Sequence, residues 1–137
     1  MLVGDTNVSA STAVDRFLAS ILTATVPAAD AFAEDAVLDA TVPNWRWTTT
    51  GKAEVEGVLS GWFADPGRFE VLERTPTLDG ELVEFVLQWA EDGIPHTCHQ
   101  SHRLRLDDAG RILRDTAFCG GRWDAALVAE MAATADV

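Results

Sequence analysis

The order of apolar patterns along the chain predicts an α+β fold: helical spacing comes first, then strand alternation almost to the end. Val14, Phe17, Leu18, Ile21 and Leu22, and later Val55, Val58, Leu59 and Trp62, recur at helical spacing. From Phe69 to Cys119 the runs alternate at period two and are broken by Asp79-Gly80, Asp92-Gly93 and Asp107-Asp108-Ala109-Gly110. Helices segregated from an antiparallel meander imply a cone-shaped curved antiparallel sheet wrapped around N-terminal helices. The inside of such a cone is a natural small-molecule pocket.

Length and composition agree with one domain over residues 1–137, in which 47% hydrophobic content supplies a single core. Residues 1–8 read as a flexible lead-in. The formal charge of −12, from 10 basic and 22 acidic residues, repels phosphate backbones and anionic lipid, so neither nucleic acid nor membrane is an expected partner. No apolar run approaches the roughly 18 residues of a membrane span, and no apolar signal core opens the chain, so a cytoplasmic location is expected. Two cysteines without close spacing suggest neither a disulfide framework nor a zinc ribbon. Five Trp, six Phe and no Tyr form an aromatic set suited to pocket walls as well as cores.

Each element has its own signal. Ser9 or Ser11 caps a first helix running to about Thr25. Pro27 opens a short second helix, PAADAFAED, packed through Phe32. AVLDATV reads as a strand, followed by a Pro43-Asn44 loop and the aromatic run from Trp45 to Thr49. KAEVEGVLSGWF forms a third helix after Gly51, and Asp65-Pro66-Gly67 turns the chain. FEVLERT, ended by Pro76, and ELVEFVLQWA are the next two strands. IPHTCHQSHRLRL and RILRDTAFCG complete the meander. Trp123 to Ala133 is a C-terminal helix closing one end of the domain.

Alternation sorts the strand faces. The Asp92-Gly93 turn sets Trp89 against His96, Leu87 against Cys98, Phe85 against Gln100 and Val83 against His102. All of these point inward. A four-residue turn at Asp107–Gly110 then sets Leu106 against Arg111, His102 against Asp115, Gln100 against Ala117 and Cys98 against Cys119. Arg103, Arg105 and Arg114 with Glu84 fall on the outer face, as a mixed polar surface or a dimer interface.

A His and an Asp facing one interior from adjacent strands are the sharpest chemical signal. The carboxylate can fix the imidazole tautomer and leave a base on the other nitrogen, or Asp115 itself can carry the proton with His102 as its partner. Gln100 can donate to a developing enolate oxygen. The catalytic set is therefore His102, Asp115 and Gln100, and the expected pocket lining is Phe17, Trp45, Trp47, Trp62, Phe85, Trp89, His96 and Cys98. The competing view is a buried pair that pins the sheet register. His96, His99 and His102 cannot converge on a metal, because His99 points to the opposite face. No metal or cofactor is called for. Asp39 reads as a solvated strand residue unless a bulge turns it inward.

FAEDAVLDATV, the Gly51-Lys52 start of the third helix and HRLRLDDAGRI together resemble the nuclear transport factor 2-like superfamily, whose cone domain is also called cystatin-like. That superfamily includes ketosteroid isomerases, scytalone dehydratase, limonene epoxide hydrolases and SnoaL-type polyketide cyclases. The resemblance implies a homodimer through the outer sheet face. It does not favour a steroid isomerase. The isomerase base aspartate falls on Ala40, the tyrosine donor has no counterpart, and His102 stands where the protonated aspartate would be. SnoaL-type cyclases are more similar, with an acid/base aspartate on the last strand at Asp115; scytalone dehydratase similarly pairs a His with an Asp. The epoxide hydrolases need an Asp-Arg-Asp set for which no inward Arg is found.

The expected function is cofactor-independent proton transfer, of the dehydratase, isomerase or aldol cyclase type, on a small apolar or polyketide-like carbonyl compound. The alternatives are a non-catalytic small-molecule binding module and a dimeric protein-interaction adaptor.

Overall fold

The computed structural model describes residues 12–25 and 31–135. Within them the elements run α1 (Ala13–Thr23), β1 (Phe32–Val42), β2 (Trp45–Thr50), α2 (Lys52–Trp62), β3 (Gly67–Thr77), β4 (Gly80–Glu91), β5 (Ile94–Leu106), β6 (Ile112–Cys119), β7 (Trp123–Asp124) and α3 (Ala125–Thr134). The strands form one sheet in the order β2-β1-β6-β5-β4-β3, with β7 paired to one end of β5. The fold is α+β as expected, but the sheet is mixed and does not close. β1 runs parallel to β6, joining the first hairpin to the far end of the meander.

The cap of α1 is Thr12, one residue beyond Ser11. Thr12 accepts from the Asp15 amide, and Ala24 ends the helix in the left-handed region at φ 55°. Ser9 and Ser11 lie outside the described residues, as do residues 1–8. Phe17 and Ile21 are fully buried on the inner face of the sheet. The second helix is not borne out where it can be described. Phe32 to Asp35 belong to β1, because Phe32 pairs with Ile112 and its ring packs edge-on against Phe17. Pro27 to Asp30 lie outside the described residues.

The β4–β5 hairpin has the expected register along its whole length, from Glu91↔Ile94 to Gly80↔Arg105. Both turn residues, Asp92 and Gly93, have positive φ (53° and 80°), the condition for a two-residue turn that follows the strand twist. β3 extends through Pro76 to Thr77. Gly80 is required by close approach, since a Cβ there would lie 1.9 Å from the Leu104 carbonyl oxygen.

The β5–β6 register departs from expectation by two residues. Leu106 faces Ile112 rather than Arg111, and an irregularity between the Leu106 and Arg105 pairs leaves Leu113 unpaired. Beyond it Leu104 faces Asp115, His102 faces Ala117 and Gln100 faces Cys119. A shift of two preserves the face of every side chain, so His102 and Asp115 both still point inward. α3 is shorter than expected at its start, because Trp123 and Asp124 pair with Thr97 and His96 and Asp124 caps the helix. It does not close an end of the sheet; it buries no residue and flanks a groove of about 680 Å³ with the outward residues Val86, Gln88, Thr97 and His99.

Candidate functional site: a tryptophan-walled cleft above a buried His–Asp pair

The inner face carries a continuous polar chain through an otherwise apolar core. His102 Nδ1 lies 2.9 Å from both carboxylate oxygens of Asp115, and both residues are 0% exposed. His102 Nε2 lies 2.7 Å from Gln100 Oε1. The Gln100 amide nitrogen donates to Cys98 Sγ and Cys119 Sγ, each at 3.6 Å. With Gln100 Oε1 as acceptor, His102 Nε2 must donate, an assignment set by the partners. Aromatic rings enclose the pair. Phe85 stacks on the imidazole at 5.5 Å and 13°, Phe17 meets it edge-on at 5.3 Å, and Phe63 lies 6.4 Å away.

His102 and Asp115 are fully buried beneath these rings, and the polar chain meets a cleft at its Gln100–Cys119 end. A cleft of about 410 Å³ is lined by Val42, Pro43, Trp47, Trp62, Gln100, Cys119, Gly121 and Arg122. Trp47 and Trp62 form its walls, edge-to-face at 6.0 Å. Arg122 holds the rim: it donates to the Trp62 carbonyl at 3.1 Å, pairs with Glu91, and lies 4.8 Å over the Trp89 ring. The Trp89 indole N–H and then Arg122 keep the Glu91 carboxyl below its usual range. The larger groove beside α3 is on the opposite side of the sheet and does not include Gln100, His102 or Asp115.

The expected pocket residues therefore divide. Trp47 and Trp62 line the cleft, and Gln100 forms part of it. Phe17 and Phe85 are core rings packed on His102, and Cys98 is buried beneath Gln100. Trp89 is buried under Arg122 and stacks on His96, which faces the outer groove. Trp45 is a correction. It is 70% exposed, because it follows the Pro43-Asn44 turn at the free edge of the sheet. Asp39 is neither solvated nor inward. It accepts from Arg46 Nε at 2.9 Å and Nη2 at 2.7 Å, and from Arg114 at 3.2 Å, and these bonds hold its carboxyl below the usual range.

Cys119 and Arg122 were absent from the expected site. Cys119 shares the parity of Asp115 and Ala117, so alternation alone places it inward. Arg122 follows Gly120-Gly121, whose backbone turns the chain across the cleft; Gly121 has φ 122°, and a Cβ there would lie 3.0 Å from the Trp123 indole nitrogen. The Cys119 thiol is lowered to about 6, first by its hydrogen bond with Cys98 and then by the Gly121 amide and Gln100, against the opposing effect of burial. The same hydrogen bond, with burial, pushes Cys98 up. Among the described residues, no group of three or more His, Cys, Asp or Glu side chains is placed to hold a metal ion.

The chain has the ketosteroid isomerase-like, nuclear transport factor 2-like α+β fold. It is similar to a hypothetical protein with a ketosteroid isomerase-like fold from Catenulispora acidiphila, solved in complex with trimethylamine (TM-score 0.57, 17% identity, 91% of this chain and 95% of that one). It is similar to a steroid delta-isomerase from Pseudomonas aeruginosa (0.54, 16%, 91% and 87%). It is also similar to an NTF-2 like protein of unknown function from Burkholderia xenovorans (0.53, 16%, 87% and 88%). No family model matches the sequence, and no curated protein does. At such identities the likeness is one of fold, and a shared fold does not name an activity. No helix among the described residues is long and apolar enough to cross a membrane.

Proposed function

We propose that this chain is a small-molecule-binding domain whose cleft holds a flat, largely apolar compound against Trp47 and Trp62, with one carbonyl-type oxygen replacing Cys119 Sγ as the acceptor of a Gln100 amide N–H. The observation that carries this reading is the meeting of two indole walls with one anchored amide in a cleft of about 410 Å³. Volumes of this order hold small ligands, and one fixed polar group in an apolar cleft sets ligand orientation. That the Catenulispora protein was solved in complex with trimethylamine supports small-molecule binding by this fold. His102 and Asp115 act through Gln100: they fix its carbonyl end and thereby aim its N–H groups. The test is a nuclear magnetic resonance titration with aromatic ketones and small lactones. Shifts should centre on the Trp47 and Trp62 indoles and the Gln100 side-chain amide and vanish in Gln100→Leu. Shifts that map to the groove beside α3 instead would overturn the reading.

A catalytic reading has one specific observation in its favour. Cys119, held toward its thiolate, stands beside Gln100, so a base and a donor for an enolate oxygen flank the same cleft. Proton transfer beside a carbonyl, of the isomerase, dehydratase or cyclase type, then runs through Cys119 and Gln100, with His102 and Asp115 in support. Exchange of a bound ketone's α-protons in heavy water measures it. Exchange should exceed the buffer rate and fall in Cys119→Ser; exchange at the buffer rate rejects it.

The proposal also pairs two copies through the outer face of the sheet. Val71, Val86 and Phe118 make an apolar patch there, beside Glu73, Glu84, His99 and Ser101.

A further inference from the structure

Cys98 has no part in ligand binding or proton transfer, yet it is built into the site. It lies on β5 and Cys119 on β6, diagonal to each other at the end of the β5–β6 ladder, where Gln100↔Cys119 is the last pair. One amide nitrogen, Gln100 Nε2, contacts both sulfurs at 3.6 Å. Their exposure differs sharply: Cys98 is 2% exposed, whereas Cys119 is half-buried and lines the cleft. Cys119 is followed by Gly120 and Gly121, so the backbone beyond it can adjust.

The geometry points to a two-thiol redox site in which Cys119 takes oxidation from a small hydroperoxide entering the cleft, and Cys98 resolves it to a Cys98–Cys119 disulfide. In the first step the Cys119 thiolate attacks the peroxide, an S–O bond forms, the O–O bond breaks, and the leaving oxygen takes a proton to become water or an alcohol. In the second the Cys98 sulfur displaces hydroxide from the Cys119 sulfenic acid, and the Cys98 proton leaves with it as water. The two sulfurs together lose two electrons, and the peroxide gains them. An accessible thiol next to a resolving thiol is the arrangement redox-reactive cysteines share, and position assigns the roles here: Cys119 lines the cleft, whereas Cys98 is buried behind it. The site does not depend on which ligand the cleft holds.

The test uses the full chain, reduced and then treated with hydrogen peroxide, followed by intact-mass and peptide mass spectrometry. The expected result is a loss of two hydrogens, a link between the Cys98 and Cys119 peptides, and reversal by dithiothreitol. In Cys98→Ser, dimedone should capture a sulfenic acid at Cys119. In Cys119→Ser, oxidation of Cys98 should slow by at least roughly tenfold, because it is buried away from the cleft. Should either variant fail to fold, a time course on wild type still decides, because dimedone adducts at Cys119 must appear before the link. First oxidation at Cys98, or over-oxidation of Cys119 with no link formed, would overturn the assignment.

Discussion

His102 and Asp115 meet on a diagonal. His102 is paired across the sheet with Ala117 and Leu104 with Asp115, yet the imidazole nitrogen stands 2.9 Å from both carboxylate oxygens. The contact closes on its own under Phe17, Phe63 and Phe85. Removing Asp115 alone leaves the imidazole unpaired in a site without water access, whereas removing both leaves only Gln100 Oε1, which lies beside the cleft, to find a new partner. Asp115→Ala should therefore cost about 3–5 kcal/mol, and the double change His102→Leu with Asp115→Leu distinctly less. Urea unfolding of the single and double variants measures the difference. Equal losses in both would mean that the pair contributes only volume.

That diagonal also marks how far the residues alone could be read. Asp92-Gly93 is a strong turn signal with no competitor, and the hairpin it starts keeps one register for its entire length. The Asp107–Gly110 turn is followed by an unpaired Leu113, and nothing in the alternation of RILRDTAFCG announces a bulge. Face survived the error because the slip was two, which is why the His–Asp contact was legible although its pairing was not. Phe32 was drawn into a helix because PAADAFAED has good helix formers; its parallel pairing with Ile112 is a contact about eighty positions away that no local pattern encodes. Alternation also says which side chains point inward but not whether space remains around them. Phe17 and Phe63 fill the volume beside His102, so the open part of the site moved outward to Gln100, Cys119 and Trp47.

Asp39 joins the free-edge hairpin to the body of the sheet, accepting from Arg46 on β2 and Arg114 on β6. Its carboxyl is held below the ordinary value of 3.8, chiefly by the Arg46 hydrogen bond. The folded state thus binds this proton less readily than the unfolded chain. Its contribution to stability is present above that value and is lost as the pH falls through the lowered one. Asp39→Asn should be less stable than wild type near neutral pH, and the gap should close in strong acid. A constant gap across that range would assign the effect to packing.

Cys119 gives a second pH dependence with a different readout. Its thiol is lowered to about 6, so the thiolate dominates at neutral pH. Alkylation by iodoacetamide should rise through that value and level off above it, with Cys98 unlabelled in the folded chain. Gln100→Leu removes a donor that favours the thiolate and should move the midpoint upward. A midpoint near that of a free thiol would count against both the base and the redox role.

The outer face supplies the last test. Phe118 is 52% exposed on the strand that also carries Asp115 and Cys119, and Val71 is 45% exposed nearby on the same patch. An exposed Phe on a groove that also carries Val71 and Val86 favours a covering partner, and a second copy brings the same face to itself about a two-fold axis. Size-exclusion chromatography with light scattering should give twice the chain mass for wild type and the single-chain mass for Phe118→Asp. A charge there faces its own copy across the axis, next to Glu73 and Glu84, so repulsion adds to the lost apolar contact. Because Phe118 points away from the cleft, the tryptophan and Gln100 signals of ligand binding should persist in the monomeric variant. A wild-type chain that stays monomeric at high concentration would leave the patch without this partner.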